Sequence, residues 1–439
     1  MMKTDVHEML IDLDKKHFIH PTSSLKQQHE SGAPFIFSSG EGVYLTDTKG
    51  RKVLEGMSSL WNVNIGYGRK ELAEAAYEQM SKLAFTNSFS SMSNEPAIRL
   101  AAKLAELAPG NLNAVFFTSG GSESNDTAYK LARYYWKLKG LPDKKKIISQ
   151  KKGYHGVNIG ATSATGISPF HTLTNSPAPD FVHVDTFSID SFKACIEKEG
   201  ADNIAAFLTE PVQGAGGVNI APEGYLQEVR AICDEHNILL IADEVITGFG
   251  RTGKMFACEH YGVIPDLLLF AKGVTSGYIP LGGVMVTDAI HRELVERSDG
   301  TLLHGYTYSG HATACAVGLK NIEILERENL VENSRLMGEE LLNGFKELQM
   351  EFDFIGEVRA LGLIGAIEMV HPVTKQRFDS FIAPRVSEEA AKRGLIVRTV
   401  VFEGMDTVVF SPPLIINKQE VQELISIMRA ALAAVQEDL

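Results

Sequence analysis

Between about residue 60 and residue 315 short apolar runs keep recurring, each separated from the next by a stretch with helical periodicity. No other feature constrains the fold as strongly, because consecutive parallel strands need a crossover long enough to hold a helix. The expected strands are 114–117, 146–149, 204–209, 238–243 and 267–270, each followed by a Gly-rich or polar turn. Between two of them, segment 221–237 reads as a helix. Pro222 suits its first turn, and Leu226, Val229 and Cys233 fall on one face.

After residue 320 the pattern changes. A long amphipathic helix carries Met337, Leu341, Phe345 and Leu348, followed by a strand in "GLIGAIEMV", a helix, the strand "LIVRTV" and a strand ending at Phe410. A terminal helix opens at Asn417, with Glu420 three residues on as in a capping box. These elements predict a smaller α+β domain, and the first 55 or so residues read as strands that join it. The expected division is an N-terminal segment 1–60, a large domain 61–318 and a small domain 319–439.

Composition narrows the partners. Acidic residues outnumber basic ones, 55 to 42, and no dense basic run exists to neutralise a phosphate backbone, so nucleic acid is not expected. No 18 apolar residues run together, and charges break every apolar stretch of the N-terminus, so neither a membrane span nor a signal peptide is expected. Cys195, Cys233, Cys258 and Cys315 are scattered and form no CxxC pair. This argues against a disulfide framework or a metal site and suits a reducing cytoplasm.

In doubly wound sheets ligands bind beyond the carboxyl ends of the strands, so polar residues just after apolar runs are the candidates. In "FFTSGGSESNDT" a strand ends, Ser119, Gly120, Gly121 and Ser122 turn, and a helix begins near Glu123. Free N–H groups at a helix start, with serine hydroxyls, favour a phosphate; an ordinary serine-capped turn would look the same. In "KKGYHG", Tyr154 and His155 lie between glycines, with room for a flat partner to stack or for a plain core tyrosine. Asp243 ends an apolar strand, where its carboxylate must meet a cation or several donors, and Val245 lies two residues on. The cation could be an arginine or a protonated heterocyclic nitrogen. Lys272 follows the next apolar run by two residues. A lysine shielded from water loses affinity for its proton and becomes a nucleophile towards carbonyls, the basis of Schiff-base chemistry. Phosphate cradle, stacking aromatic, ring-nitrogen carboxylate and nucleophilic lysine together describe one ligand, pyridoxal 5'-phosphate.

The motifs "MSSLWNVNIGYG", "TSGGSESNDT", "GYHG", "EPVQGAGG", "ADEVITGFGRTG", "AKGVTSGYIPLGG" and "HGYTYSGHATACA" occur in this order along nearly the whole chain. In them the sequence resembles the class III aminotransferases, including the amine:pyruvate (ω-) transaminases. The resemblance implies fold type I, with a mainly parallel seven-stranded sheet, helices on both faces and a smaller α+β domain. It implies that Lys272 holds the cofactor and moves the proton, that Asp243 pairs with the pyridine nitrogen, and that Val245 and Tyr154 enclose the ring. Gly120, Gly121 and Ser122 would bind the phosphate, joined by Thr307 from the neighbouring subunit of a homodimer. Trp61 and Phe89 would wall the substrate pocket, "HFIHPTSS" would cover its entrance, and Arg398 would bind a substrate carboxylate. Where the ornithine and γ-aminobutyrate branches carry a glutamate, this chain has Ala215 in "QGAGG". The expected activity is therefore transfer from an ω-amino acid or amine to a keto acid, with pyruvate favoured over 2-oxoglutarate. The alternatives are the diaminopelargonate aminotransferase of biotin synthesis, against which the single tryptophan of "SSLW" counts, and a cofactor-binding regulator or inactive homologue.

Overall fold

A computed structural model describes residues 3–439. Seven strands form the central sheet: β1 (Leu112–Thr118), β2 (Lys146–Gln150), β3 (Phe181–Val184), β4 (Ile204–Thr209), β5 (Leu239–Asp243), β6 (Leu267–Phe270) and β7 (Gly282–Thr287). Their spatial order is β1-β7-β6-β5-β4-β2-β3. All neighbours are parallel except β7, which runs antiparallel to both β6 and β1. Every position of β4, β5, β6 and β7 is buried. That requires cover on both faces, and period-two alternation supplies apolar residues to each. Leu239, Ile241, Leu267 and Leu269 pack with Ala128, Leu131 and Ala132 of the helix Gly121–Leu138. Leu240 and Phe207 point the other way, onto the helices Ile189–Glu199 and Tyr225–Glu235.

The C-terminal part folds into a four-stranded antiparallel sheet in the order Ile355–Ala360, Gly365–Met369, Thr407–Phe410, Arg398–Val400. The helices Leu330–Glu351, Ala383–Lys392 and Lys418–Gln436 belong to the same part. Asn417 and Glu420 form the capping box, each side chain accepting from the other's backbone N–H. Near the N-terminus, strands Phe37–Glu41, Tyr44–Asp47 and Lys52–Glu55 pair antiparallel, and Leu395–Ile396 adds a parallel edge.

Three sequence expectations need correction. The first 55 residues are not all strand: the helices Lys3–His17 and Leu25–Ser31 precede the three N-terminal strands. Pro222 precedes its helix, which starts at Tyr225 after Gly224, a residue in the left-handed region. The run "LIVRTV" is two strands: Leu395–Ile396 bonds to the N-terminal sheet and Arg398–Val400 to the C-terminal one. Apolar patterning is the same for both halves, so it cannot reveal a change of partner. The change of sheet brings Arg398 to the central cleft. Among the described residues no helix is long and apolar enough to cross a membrane.

Candidate active site

The carboxyl ends of β1, β4, β5 and β6 open on one cavity of about 720 Å³, a size typical of small-molecule sites. Ser119 to Ser122, Tyr154, His155, Glu210, Asp243, Val245, Lys272, Trp61 and Arg398 all line it.

Asp243 is buried at the end of β5 and meets donors on both oxygens. Oδ2 accepts from Asn125 Nδ2 at 2.9 Å and from His155 Nδ1 at 2.8 Å, while Oδ1 accepts from the Val245 N–H at 3.1 Å. Since a carboxylate only accepts, His155 carries its proton on Nδ1. Asn125 is fixed in turn by the Tyr129 hydroxyl, which donates to its Oδ1 at 2.8 Å. The donors fix the carboxylate while it still lines the cavity, so it can meet a cationic ring nitrogen.

Lys272 sits just beyond β6, in the left-handed region at φ 44°. Protein surrounds its side chain except where it borders the cavity, and this burial lowers the amine to about 8 against the pull of Asp243 and Glu210. An amine in that range is available in its neutral, nucleophilic form. Glu210 shows the opposite sign. Burial raises its carboxyl to about 7 although the Tyr154 and Gly214 N–H groups donate to it at 2.8 and 3.1 Å.

The helix Gly121–Leu138 starts at the cavity with no side chain capping its first turn. Its N-terminal N–H groups and partial positive charge are therefore free for an anion. Two close approaches shape this cradle. A Cβ on Gly121 would lie 2.9 Å from Val245 Cγ1, and one on Gly156, at φ 116°, would lie 2.3 Å from Ser122 Oγ. Ser122 Oγ also accepts the Val157 N–H at 3.1 Å. An anion-binding helix start, a fixed carboxylate and a low-affinity lysine amine around one cavity suit the phosphate, ring nitrogen and aldehyde of pyridoxal phosphate.

Around the remaining wall stand Trp61, Arg398, Phe170, Phe402 and Ala215, with Pro21 and Thr22 of "HFIHPTSS" beside them. Tyr154, Phe170 and Phe402 form an edge-to-face row with centroids 5.2 and 5.9 Å apart. Among the described residues no carboxylate pairs with Arg398. Burial lowers its affinity for the proton and only Tyr154 opposes that. Phe89 and Thr307 are not brought into this cavity. Both are exposed, and the Phe89 ring lies against Gly305, two residues before Thr307. The sequence reading missed Glu210, Asn125, Phe170 and Phe402. Glu210 follows an apolar run as Asp243 does, so the same rule would have found it, whereas the two phenylalanines come from distant loops that carry no signal.

The family model "Aminotransferase class-III" matches residues 26–432. A putrescine–pyruvate aminotransferase of Pseudomonas aeruginosa is 40% identical over 96% of this chain and 95% of its own length. A diaminobutyrate–2-oxoglutarate transaminase of Halomonas elongata is 39% identical over 96% and 95%. Among solved structures, a transaminase from the marine bacterium Virgibacillus matches with TM-score 0.97 at 53% identity, covering 98% of this chain and 99% of that one. An ω-transaminase of Pseudomonas jessenii in complex with PMP matches with TM-score 0.93 at 36% identity, covering 98% of each chain. With a lysine, a carboxylate and an uncapped helix start around one cleft, and with matches along almost its whole length, the chain belongs to the class III aminotransferases, pyridoxal phosphate-dependent transaminases of fold type I.

Proposed function

We propose that this transaminase takes its amino group from an ω-amino acid or amine and gives it to pyruvate, releasing alanine. Arg398 carries the reading: a guanidinium on the wall of the cavity that holds Lys272, with no carboxylate of the described residues paired to it. A cation so placed binds a carboxylate through two parallel hydrogen bonds. Ala215 lies on the same wall. It offers no acid to hold Arg398 aside, which favours a keto acid with one carboxylate over one with two. The curated relatives support both kinds of acceptor by name, so a direct comparison decides.

Pyridoxal phosphate, when bound, supplies an electrophilic aldehyde and an electron-accepting ring. Lys272 would hold it, and its Nζ, neutral when free, would take the proton from the donor carbon bearing the amino group. Such base catalysis is worth about 10²- to 10⁴-fold. Asp243, held by Asn125, His155 and the Val245 N–H, keeps the ring nitrogen protonated. Gly120, Gly121 and Ser122 bind the phosphate at the helix start, and Tyr154 and Val245 enclose the ring. Trp61 and Phe170 exclude water and shape the donor side.

The working unit of this reading is a homodimer. Phe89 and Thr307 lie outside their own cavity, in a region that also exposes Phe85, Met92, Leu303 and Tyr308. Apolar surface of this kind marks a protein interface. In the dimer Thr307 completes the phosphate site, and Phe89 the pocket, of the neighbouring subunit.

The test is a panel of diamines, ω-amino acids and arylalkylamines assayed with pyruvate for alanine and with 2-oxoglutarate for glutamate. Faster turnover with pyruvate is expected. Preference for 2-oxoglutarate across the panel, or formation of diaminopelargonate from S-adenosylmethionine, would replace the reading.

A further inference from the structure

Ser58, Ser59 and Trp61 have positive φ, at 46°, 59° and 63°, within four consecutive residues that contain no glycine. Ser59, at φ 59° and ψ −88°, lies near the strained γ-turn that side-chain-bearing residues seldom adopt. A turn of this kind persists only where its surroundings over-determine it. Here they do so through Glu55, which is buried at the end of its strand. Its Oε1 accepts the Met57 N–H at 2.8 Å, and its Oε2 accepts the Ser59 N–H at 2.6 Å and the Tyr67 hydroxyl at 2.9 Å. The fully buried Arg251 holds the other side. Its Nη2 donates to Ser58 Oγ at 3.0 Å and Asn64 Oδ1 at 2.8 Å, and its Nη1 to the carbonyls of Leu363 and Pro412. The strained turn delivers Leu60, Trp61 and Asn62 to the cavity wall.

We infer that Glu55 is a positioning residue for donor selection: by clamping the backbone at residues 57 and 59 it sets where the Trp61 indole stands, and so how large a group fits beside the reacting carbon. This rests on the reading of the cavity as a substrate pocket. A carboxylate accepts on both oxygens, whereas glutamine of the same shape sets an NH₂ against one of the two backbone donors. Freed on one side, Ser59 relaxes towards an ordinary conformation, and the indole two residues on moves with it. If Glu55 served only the stability of the fold, its loss would instead weaken the whole fold and every donor alike.

The chain has two tryptophans, Trp61 and Trp136, so Trp136→Phe leaves Trp61 as the sole indole reporter. In that holoenzyme, Glu55→Gln is expected to shift the Trp61 emission and expose it to acrylamide quenching. KM for a bulky arylalkylamine should change by about tenfold or more, while KM for pyruvate and kcat with a short diamine stay within about twofold. Adding Ser59→Gly, a residue that takes positive φ without strain, should reverse both effects. Unchanged Trp61 emission overturns the inference, as does an equal loss for all donors that Ser59→Gly does not rescue. Should Glu55→Gln not fold, Tyr67→Phe removes one of the three bonds and should move the emission the same way by less; no movement again overturns it. If the unmodified enzyme transfers no amino group from any amine, the proposed function fails, but the emission of Trp61 still decides the role of Glu55.

Discussion

At Lys272 burial works against two carboxylates. Desolvation lowers the amine to about 8, Asp243 and Glu210 raise it, and Arg398 lowers it further. The sign sets a pH dependence. The amine is charged below about pH 8 and neutral above it, so capture of pyridoxal phosphate by the cofactor-free protein should accelerate as pH rises through 8 and level off beyond. Stopped-flow absorbance across pH checks this. A midpoint near that of an ordinary lysine, about 10.4, would show that burial does not act as described, and Lys272→Ala should abolish the signal. Arg398 supports a second expectation. Replacing it with glutamine removes charge-assisted hydrogen bonds worth about 1.5–3 kcal/mol, so KM for pyruvate should rise roughly 10- to 150-fold. KM for amines without a carboxylate should stay put, and a matched rise for both would place Arg398 elsewhere in the reaction. Lys272 and Asp243 were legible in the sequence because a charge at the end of a buried strand needs an explanation. Asn125 was not, since an amide within a helix's first turns looks like any surface polar residue until the carboxylate it meets is known.

Among the elements, five strands of the large sheet could be read as apolar runs, and two could not. β3, with the sequence "FVHV", is short and only partly buried because it lies at the sheet edge. β7 begins with Gly282 and Gly283 and so looks like the tail of the glycine-rich turn after Lys272. Contacts between backbones are equally silent in the sequence. A Cβ on Gly338, in the helix Leu330–Glu351, would lie 2.2 Å from the Gly362 carbonyl oxygen. Gly362, at φ 57°, would itself place a Cβ 2.4 Å from the Thr252 carbonyl carbon. Three stretches of main chain thus meet with no room for a side chain, tying the helix Leu330–Glu351 to the loop after β5. Backbone cannot swing aside as a flexible side chain can, so Gly338→Ala should cost about 1–3 kcal/mol despite alanine's better helix propensity. Urea unfolding with matched controls measures it. Gain of stability would mean that the helix shifts freely here, and that this contact does not fix the C-terminal part on the sheet.

In the whole molecule, the proposed homodimer would build each catalytic unit from two chains, because Thr307 is exposed and lies outside the cavity of its own chain. That arrangement has a consequence no single-chain site can imitate. Let one chain carry Lys272→Ala and a second carry Thr307→Glu, whose carboxylate repels the phosphate. Each homodimer is inactive, for want of the lysine in one case and of the phosphate site in the other. In the mixed dimer one site combines both defects, while the other combines an intact Lys272 with an intact Thr307 from across the interface. Equal co-expression makes about half the dimers mixed, each with one working site of two, so about a quarter of normal activity should return. Sites closed within one chain would gain nothing from mixing, since every chain then keeps its own defect. Activity per dimer, with sedimentation to confirm the assembly, therefore tests at once whether the protein is a dimer and whether its active sites are shared.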